Sequence, residues 1–410
     1  MRISLGGADA AARSSVGAEL VLAISGKTAA AFGTVGLAAI SPFVRDEFNL
    51  STFGVGGVIG VVFIGALIAT VPAGRLTDKV RAGRMLGACL GAQAGALVIA
   101  ALAPTAAVFF LGVALAGLAM GAGDPSTNVL VAMNVSRRRR GLLMGLKQTG
   151  FTLGGLLGGL LLPSVAEATN WRVAVLVPLV PCVLVGLVGL VAVGGAPPQP
   201  IGDAGRERVR SPTQIPMSVY GFFMAGIQIS SLGLLAVYLV DRVDFSPRVA
   251  GWAIVVALVG GTSGRIIWGA ISDRVTSSRF VTLQLASAGA AAALVLVAVL
   301  ESSVALWPVL FAVGFCAIGW NTVYVTVAAE SVSPANVGRA TGAALFFSYA
   351  GALSVPPLLG VLVDGTDSWA LAWFAAAAIA GVGLAASTRA RAVAGQIESP
   401  RAAWRRRRPA

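Results

Sequence analysis

The sequence predicts an all-α integral membrane protein whose twelve transmembrane helices form two pseudo-symmetric six-helix bundles. Three observations carry this expectation: the 410 residues are 57% hydrophobic and only 11% charged, apolar segments of the roughly 20 residues needed to cross a bilayer recur along the chain, and one loop pattern occurs twice. Soluble proteins carry about a quarter charged residues, so a charge content this low excludes the soluble classes.

The apolar segments fall near residues 18–43, 52–75, 84–103, 107–133, 141–163 and 172–194, then near 216–239, 248–272, 279–300, 304–330, 338–362 and 369–388. Between the two sets runs VGGAPPQPIGDAGRERVRSPTQIP, starting at Val193. Its Pro, Gly and Arg content is that of a flexible connection. The expected organisation is an N-terminal bundle over 1–194, a cytoplasmic linker over 195–215, a C-terminal bundle over 216–388 and a basic tail over 389–410.

A net charge of +13 invites a nucleic-acid partner, but the basic residues gather in alternate connections, which is the positive-inside pattern. One side holds Arg2, Arg13, Arg75, Lys79, Arg81, Arg84, Arg137 to Arg140, Arg206, Arg208, Arg210, Arg274, Arg279, Arg339 and the C-terminal cluster ending at Arg408. The other side holds Arg45, Arg172, Arg242 and Arg248 together with the acidic Asp46, Glu47, Glu167, Asp241, Asp244, Glu301, Asp364 and Asp367. Both termini are therefore expected in the cytoplasm, the chain is expected to be multi-pass in the inner (cytoplasmic) membrane, and no nucleic-acid partner is expected. The first twenty residues lack the compact apolar core of a cleaved signal peptide, so the first span is expected to serve as the insertion signal. Cys89, Cys182 and Cys316 fall inside spans with no metal-ligand spacing, so neither disulfides nor a metal nor any other cofactor is expected. Histidine is absent, which leaves carboxylates to carry any proton.

The repeated loop reads GRLTDKVRAGR from Gly74 to Arg84 and GAISDRVTSSR from Gly269 to Arg279. Gly74, Asp78, Lys79, Val80 and Arg84 align without a gap on Gly269, Asp273, Arg274, Val275 and Arg279, an offset of 195 residues. A second pair, RRRRGLLMG ending at Gly145 and ANVGRATG ending at Gly342, repeats at 197. With these motifs and twelve spans the chain resembles the major facilitator superfamily of secondary transporters. Arg81 stands where many members of that family have glycine. The resemblance implies alternating access, in which two halves rock around a midplane site. It also implies a gating loop made of Gly74, Asp78, Lys79 and Arg84, echoed by Gly269, Asp273 and Arg274, with Asp78 contacting a helix N-terminus of the opposite half. The competing reading leaves Lys79 and Arg84 as topology signals; acidic residues do little for topology, which favours a gating role for Asp78 and Asp273.

Charges inside a span cost several kcal/mol at the bilayer centre and are functional candidates by default. Those present are Lys27, Asp124, Lys147 and Arg265. In the resembled family the first, fourth, seventh and tenth spans line the cavity, with the fifth and eighth at its sides, so these groups could share one water-filled space. Lys27, Ala30, Ala31, Thr34, Ala38 and Ser41 form one helical stripe of small or polar residues, and Asp124 shares a face with Asn128. Lys147 and Arg265 lie nearer the cytoplasmic ends, where long basic side chains can snorkel. Asp124 either neutralises Lys27 or Lys147 in a structural pair or belongs to a site. With three cations to one anion, a solute carboxylate is the expected missing partner, and Arg265 offers a bidentate fork with Trp268 one turn away. Gln228, Trp320, Asn321, Tyr324 and Tyr349 are candidate neutral contacts, against the alternative that the aromatics pack.

On the fifth span Gly141, Gly150, Gly154, Gly155, Gly158 and Gly159 follow the spacing of the family's antiporter signature, with Gly155 in place of its proline. A plain packing seam is the other reading. The fourth span, FFLGVALAGLAMGAG from Phe109 to Gly123, has no charge where many proton-driven members carry arginine; Asp124 is the expected substitute, ahead of Glu19 and Glu330. Gly26-Lys27-Thr28 imitates the end of a phosphate loop, but Val21 stands where its first glycine is required. No enzyme is expected. The expected function is secondary transport of a small organic anion, with protons as a candidate coupling ion and a monomer as the working unit. The alternatives are a proton-coupled drug or metabolite efflux antiporter and a non-transporting receptor.

Overall fold

The computed structural model of the chain describes residues 5–50, 52–191, 212–275, 278–300 and 303–405. Most of the expected linker lies outside them, with Arg206, Arg208 and Arg210, as do Arg2, Glu301 and residues 406–410. Among the described residues, twelve helical runs are long and apolar enough to cross a membrane.

The first span combines α1 (Leu5–Phe32), a 3-10 stretch (Val35–Ile40) and α2 (Ser41–Phe48). Then come α3 (Thr52–Thr77), α4 (Ala82–Ala101), α5 (Ala106–Asn134) and α6 (Arg140–Ala168), and a sixth span made of α7 (Trp171–Leu176) and α8 (Leu179–Val191). The second half has α9 (Gln214–Asp241), α10 (Pro247–Arg274) and α11 (Arg279–Val299). Its tenth span is α12 (Ser303–Val313), a π-helical turn (Gly314–Ile318) and α13 (Asn321–Glu330), followed by α14 (Val337–Thr366) and α15 (Trp369–Arg405). Helix starts are set by short polar side chains: Thr105, Asn170, Ser246 and Ser278 each accept a hydrogen bond from a first-turn amide.

The stripe from Lys27 to Ser41 does not lie on one helix, because the α-helix ends at Phe32. The Thr34 hydroxyl donates to the Ala30 carbonyl at 2.7 Å, the acceptor that helical continuation would use, and Thr34 leaves helical geometry at φ −134° and ψ −78°.

By contact the chain divides into two compact units, Met1–Glu207 with Ala328–Tyr349 and Arg208–Val327 with Ala350–Ala410. Ala328–Tyr349, which the sequence places in the second bundle, is grouped with the first-half helices, and the boundary cuts α14 after Tyr349. In the first unit α5 packs on α3 and α4, and α1 packs on α6. Glycine makes the tightest crossing possible: a Cβ on Gly65 would meet the Ala114 carbonyl, and one on Gly117 the Val62 carbonyl. In the second unit α10 crosses α12 and the π turn in the same way, with Gly260 against the Phe311 carbonyl and Gly314 against the Ala257 carbonyl. Each residue of the second crossing lies 195 or 197 positions after its counterpart. The duplication therefore extends from the loops to the helix crossings.

The fifth-span glycines divide by face. Gly150, Gly154 and Gly158 recur every fourth residue and bring α6 onto Ile24, Thr28 and Gly36 of the first span. Gly155 and Gly159 were expected in that seam and are not: Gly159 has nothing within 4 Å of a Cβ position and Gly155 has only an ordinary contact with Val35. They sit one residue further round the helix, about 100° away from the seam. Valine at Gly154 should therefore lower the melting temperature of the purified protein, at a cost of about 1–3 kcal/mol, whereas alanine at Gly159 should leave it unchanged. Thermal unfolding of the two variants measures both outcomes.

Candidate functional site

The first unit gathers polar side chains from α1, α5, α6 and α14 around Asp124. Gly26 and Gly123 precede Lys27 and Asp124, and Gly150 on α6 faces the Ile24 carbonyl and the Lys27 Cβ. Gly150 lets α6 come close to α1 beside Lys27, while Gly26 and Gly123 both face Leu86 of α4. Lys27 donates to one oxygen of Asp124, and the Tyr349 hydroxyl on α14 donates to the other. Lys27 is 5% exposed, Asp124 3% and Tyr349 7%. The Lys27 ammonium also lies 5.4 Å from the Phe151 ring centre. The Tyr349 ring packs against Phe63 at 5.9 Å.

Lys147, 1% exposed, donates to Asn128 Oδ1 at 2.6 Å and to Thr127 Oγ1 at 3.2 Å. Thr127 in turn donates to the Asp124 carbonyl at 2.8 Å, so both lysines belong to one polar network. A buried lysine keeps its charge only with acceptors around it, and here α5 supplies them at positions 124, 127 and 128. Of the expected residues, Lys27, Asp124, Asn128, Lys147 and Tyr349 thus come together. Thr127, Phe63 and Phe151 join them without having been singled out; the i, i+3 spacing from Asp124 to Thr127 and the i, i+4 spacing from Lys147 to Phe151 were the available signals.

The remaining candidates lie in the second unit. Trp320 and Tyr324 pack with Tyr220, the centroids of Trp320 and Tyr324 being 5.3 Å apart, and both are buried. Gln228 is buried and its Oε1 has no hydrogen-bond partner among the described residues. Arg265 is 3% exposed and Asn321 half-buried. Trp268 donates its indole N–H to the Phe315 carbonyl at 2.9 Å and packs on the Phe315 ring, so its polar atom is used in packing.

The two repeated loops differ. Asp78, just past the end of α3, accepts hydrogen bonds from the backbone amides of Gly338 at 2.7 Å and Arg339 at 3.0 Å, capping the start of α14. Gly74 makes room for this contact, because a Cβ there would meet the Gly338 carbonyl. Lys79, Arg81 and Arg84 are exposed. Asp273 instead pairs with Arg279 of its own loop at 2.9 Å, next to an Arg279–Ser272 hydrogen bond, while Gly269 is buried and Arg274 exposed. Two further pairs brace the first unit: Arg140 with Glu330 at 3.5 Å, and Arg172 with Glu47 at 2.6 Å, the latter carboxylate also accepting from the Trp171 indole.

Desolvation raises the Asp78 carboxyl from its ordinary 3.8 to about 6, although the amides of Arg339 and Gly338 pull it down. Between those values the packed carboxyl holds a proton that the unfolded one has lost, so its contribution to stability grows as pH falls through about 6 and levels off below about 4. Lowering pH from about 7 to about 4 should accordingly raise the stability of the protein relative to an Asp78→Asn variant. Paired melting curves across that range test this, and a pH-independent difference would contradict it.

The family model described as Major Facilitator Superfamily matches residues 23–356 and, separately, 219–408. The chain is 26% identical over 358 residues to the uncharacterized MFS-type transporter Rv2994 of Mycobacterium tuberculosis strain H37Rv, covering 85% of this chain and 79% of that one. It is 27% identical over 324 residues to a gallate transporter of Pseudomonas putida, covering 69% and 71% of the two chains. Its fold is similar to that of the transporter FucP of E. coli in the outward conformation, with a TM-score of 0.71 at 18% identity, covering 90% of this chain and 98% of that one. With twelve membrane-spanning helices and a family model matching most of its length, the chain belongs to the Major Facilitator Superfamily of multi-pass membrane transporters.

Proposed function

We propose that the chain is a secondary active transporter that carries a small organic anion across the cytoplasmic membrane by alternating access, with both termini in the cytoplasm. The observation that carries this reading is the buried ion pair between Lys27 and Asp124 in the first unit, with Lys147 as a second buried cation two hydrogen bonds away. Two lysines to one carboxylate is a positive balance. Protonation of Asp124 would free Lys27 to pair with a solute carboxylate, which links uptake of an anion to uptake of a proton. Arg265 is a second candidate anion holder, with its planar fork, and Asn128, Gln228, Asn321 and Tyr349 are candidate neutral contacts. The likeness to a gallate transporter supports an acidic solute. In the same cycle Asp78, with Gly74, acts as a latch on the start of α14, and Asp273 with Arg274 and Gly269 as its counterpart in the second half. The protein works as a monomer.

Counterflow in proteoliposomes loaded with a labelled aromatic carboxylate tests the proposal. Lys27→Ala and Arg265→Ala should each lower exchange by about tenfold or more. Asp124→Asn should retain exchange and lose its acceleration by an inward proton gradient. Normal binding and transport in Lys27→Ala would rule out the anion site. Absence of anion exchange, together with resistance to cationic dyes that disappears in Asp124→Asn, would assign the chain instead to proton-coupled drug or metabolite efflux.

A further inference from the structure

We propose that the Tyr349 hydroxyl makes the docking of the Val337–Tyr349 half of α14 depend on the charge of Asp124, so that the half-helix is held while Asp124 is ionised and released when it is neutralised. This half of α14 is fastened at both ends to carboxylates of the first unit. At its start Asp78 takes the amides of Gly338 and Arg339, and at its end Asp124 takes the Tyr349 hydroxyl. The two fastenings are about 15 Å apart at 1.5 Å per residue. Between them the Thr70 hydroxyl reaches the Gly342 carbonyl at 3.5 Å, and Gly74, Gly338 and Gly342 let the backbones of α3 and α14 touch.

The contacts along this seam differ in what they can sense. The Gly74, Gly338 and Gly342 crossing and the Phe63–Tyr349 ring contact are indifferent to the state of Asp124. A phenol donating to a carboxylate is a charge-assisted hydrogen bond, roughly twice as strong as its neutral counterpart. The hydroxyl of Tyr349 is therefore the part of the seam that reads the charge. Among the described residues, the titratable and charged groups facing Asp124 are Lys27 from α1, Tyr349 from α14, Cys89 from α4, which lines the same small cavity, and Lys147 from α6 through Thr127. Phe63, facing from α3, has no charge.

The helix is built to part at this point. Ala350 onward is grouped with the second unit, where the Phe222 carbonyl lies against Gly351. Pro356 and Pro357 then follow inside α14, which removes the amide donors to the carbonyls of Ala352 and Leu353. A weakened helix just beyond Tyr349 lets its first half respond without carrying the rest rigidly with it.

The inference rests on the transport reading only for what neutralises Asp124, whether proton or solute, and its test contains no solute. Spin labels at Lys79→Cys and Ser333→Cys, both exposed, report the separation of the end of α3 from the start of α14; the native Cys89, Cys182 and Cys316 are buried. Distances are measured at about pH 8, above the titration of Asp78. Asp124→Asn and Tyr349→Phe should each raise the long-distance population by about fivefold, the latter while keeping the ring and the Lys27–Asp124 pair. A wild-type distribution in either variant would overturn the proposal. Should Asp124→Asn fail to fold, Asp124→Ser replaces it at the same pH, the carboxylate again being absent, and a wild-type distribution there would overturn the coupling.

Discussion

The carboxylate of Asp124 has to be paired inside a membrane-spanning helix, and much of the first unit is arranged to meet that requirement. An isolated carboxylate at this depth would cost several kcal/mol, and here each oxygen has its own donor, Lys27 on one side and Tyr349 on the other. The donors come from α1 and α14, so satisfying one side chain fixes three helices against one another. In the transport cycle proposed above, neutralising this carboxylate would free Lys27 and weaken the hold on Tyr349.

Small residues make this pairing reachable. Gly150 and Gly154 bring α6 onto α1 beside Lys27, and Gly74, Gly338 and Gly342 bring α3 onto α14 below Tyr349. The two halves use glycine crossings at matching positions, Gly65 and Gly117 in one and Gly260 and Gly314 in the other, yet they fill their interiors differently. The first half concentrates charge around Asp124. The second packs Tyr220, Trp320 and Tyr324 together and keeps its buried cation at Arg265. Duplication preserved the helix crossings, while the side chains between them diverged.

The sequence reveals the scaffold more fully than the site. Span number and position follow from hydropathy, because a bilayer admits few alternatives for an apolar run of this length. The break at Gly33 and Thr34 is hidden, since the composition on both sides of it is equally apolar and the next six residues stay helical in the 3-10 form. That Lys27, Asp124 and Lys147 matter is legible from the cost of charge in a span, but which lysine meets which acceptor is a matter of helix rotation. Lys147 turns to Asn128 and Thr127. The Tyr349–Asp124 contact joins residues 225 positions apart, and no local pattern announces it. The glycine seam is half legible: the spacing identifies a close face, and only the packing shows that Gly155 and Gly159 lie off it.

A double-mutant cycle on Lys27 and Asp124, read by thermal unfolding of the purified protein, addresses the central claim most directly. If the two side chains satisfy each other in the interior, Lys27→Met and Asp124→Leu should each cost about 3–5 kcal/mol by leaving the other charge buried, and the double variant should recover most of that loss. Losses that simply add in the double variant would mean that the charges do not depend on each other, and the account built on Asp124 would fail.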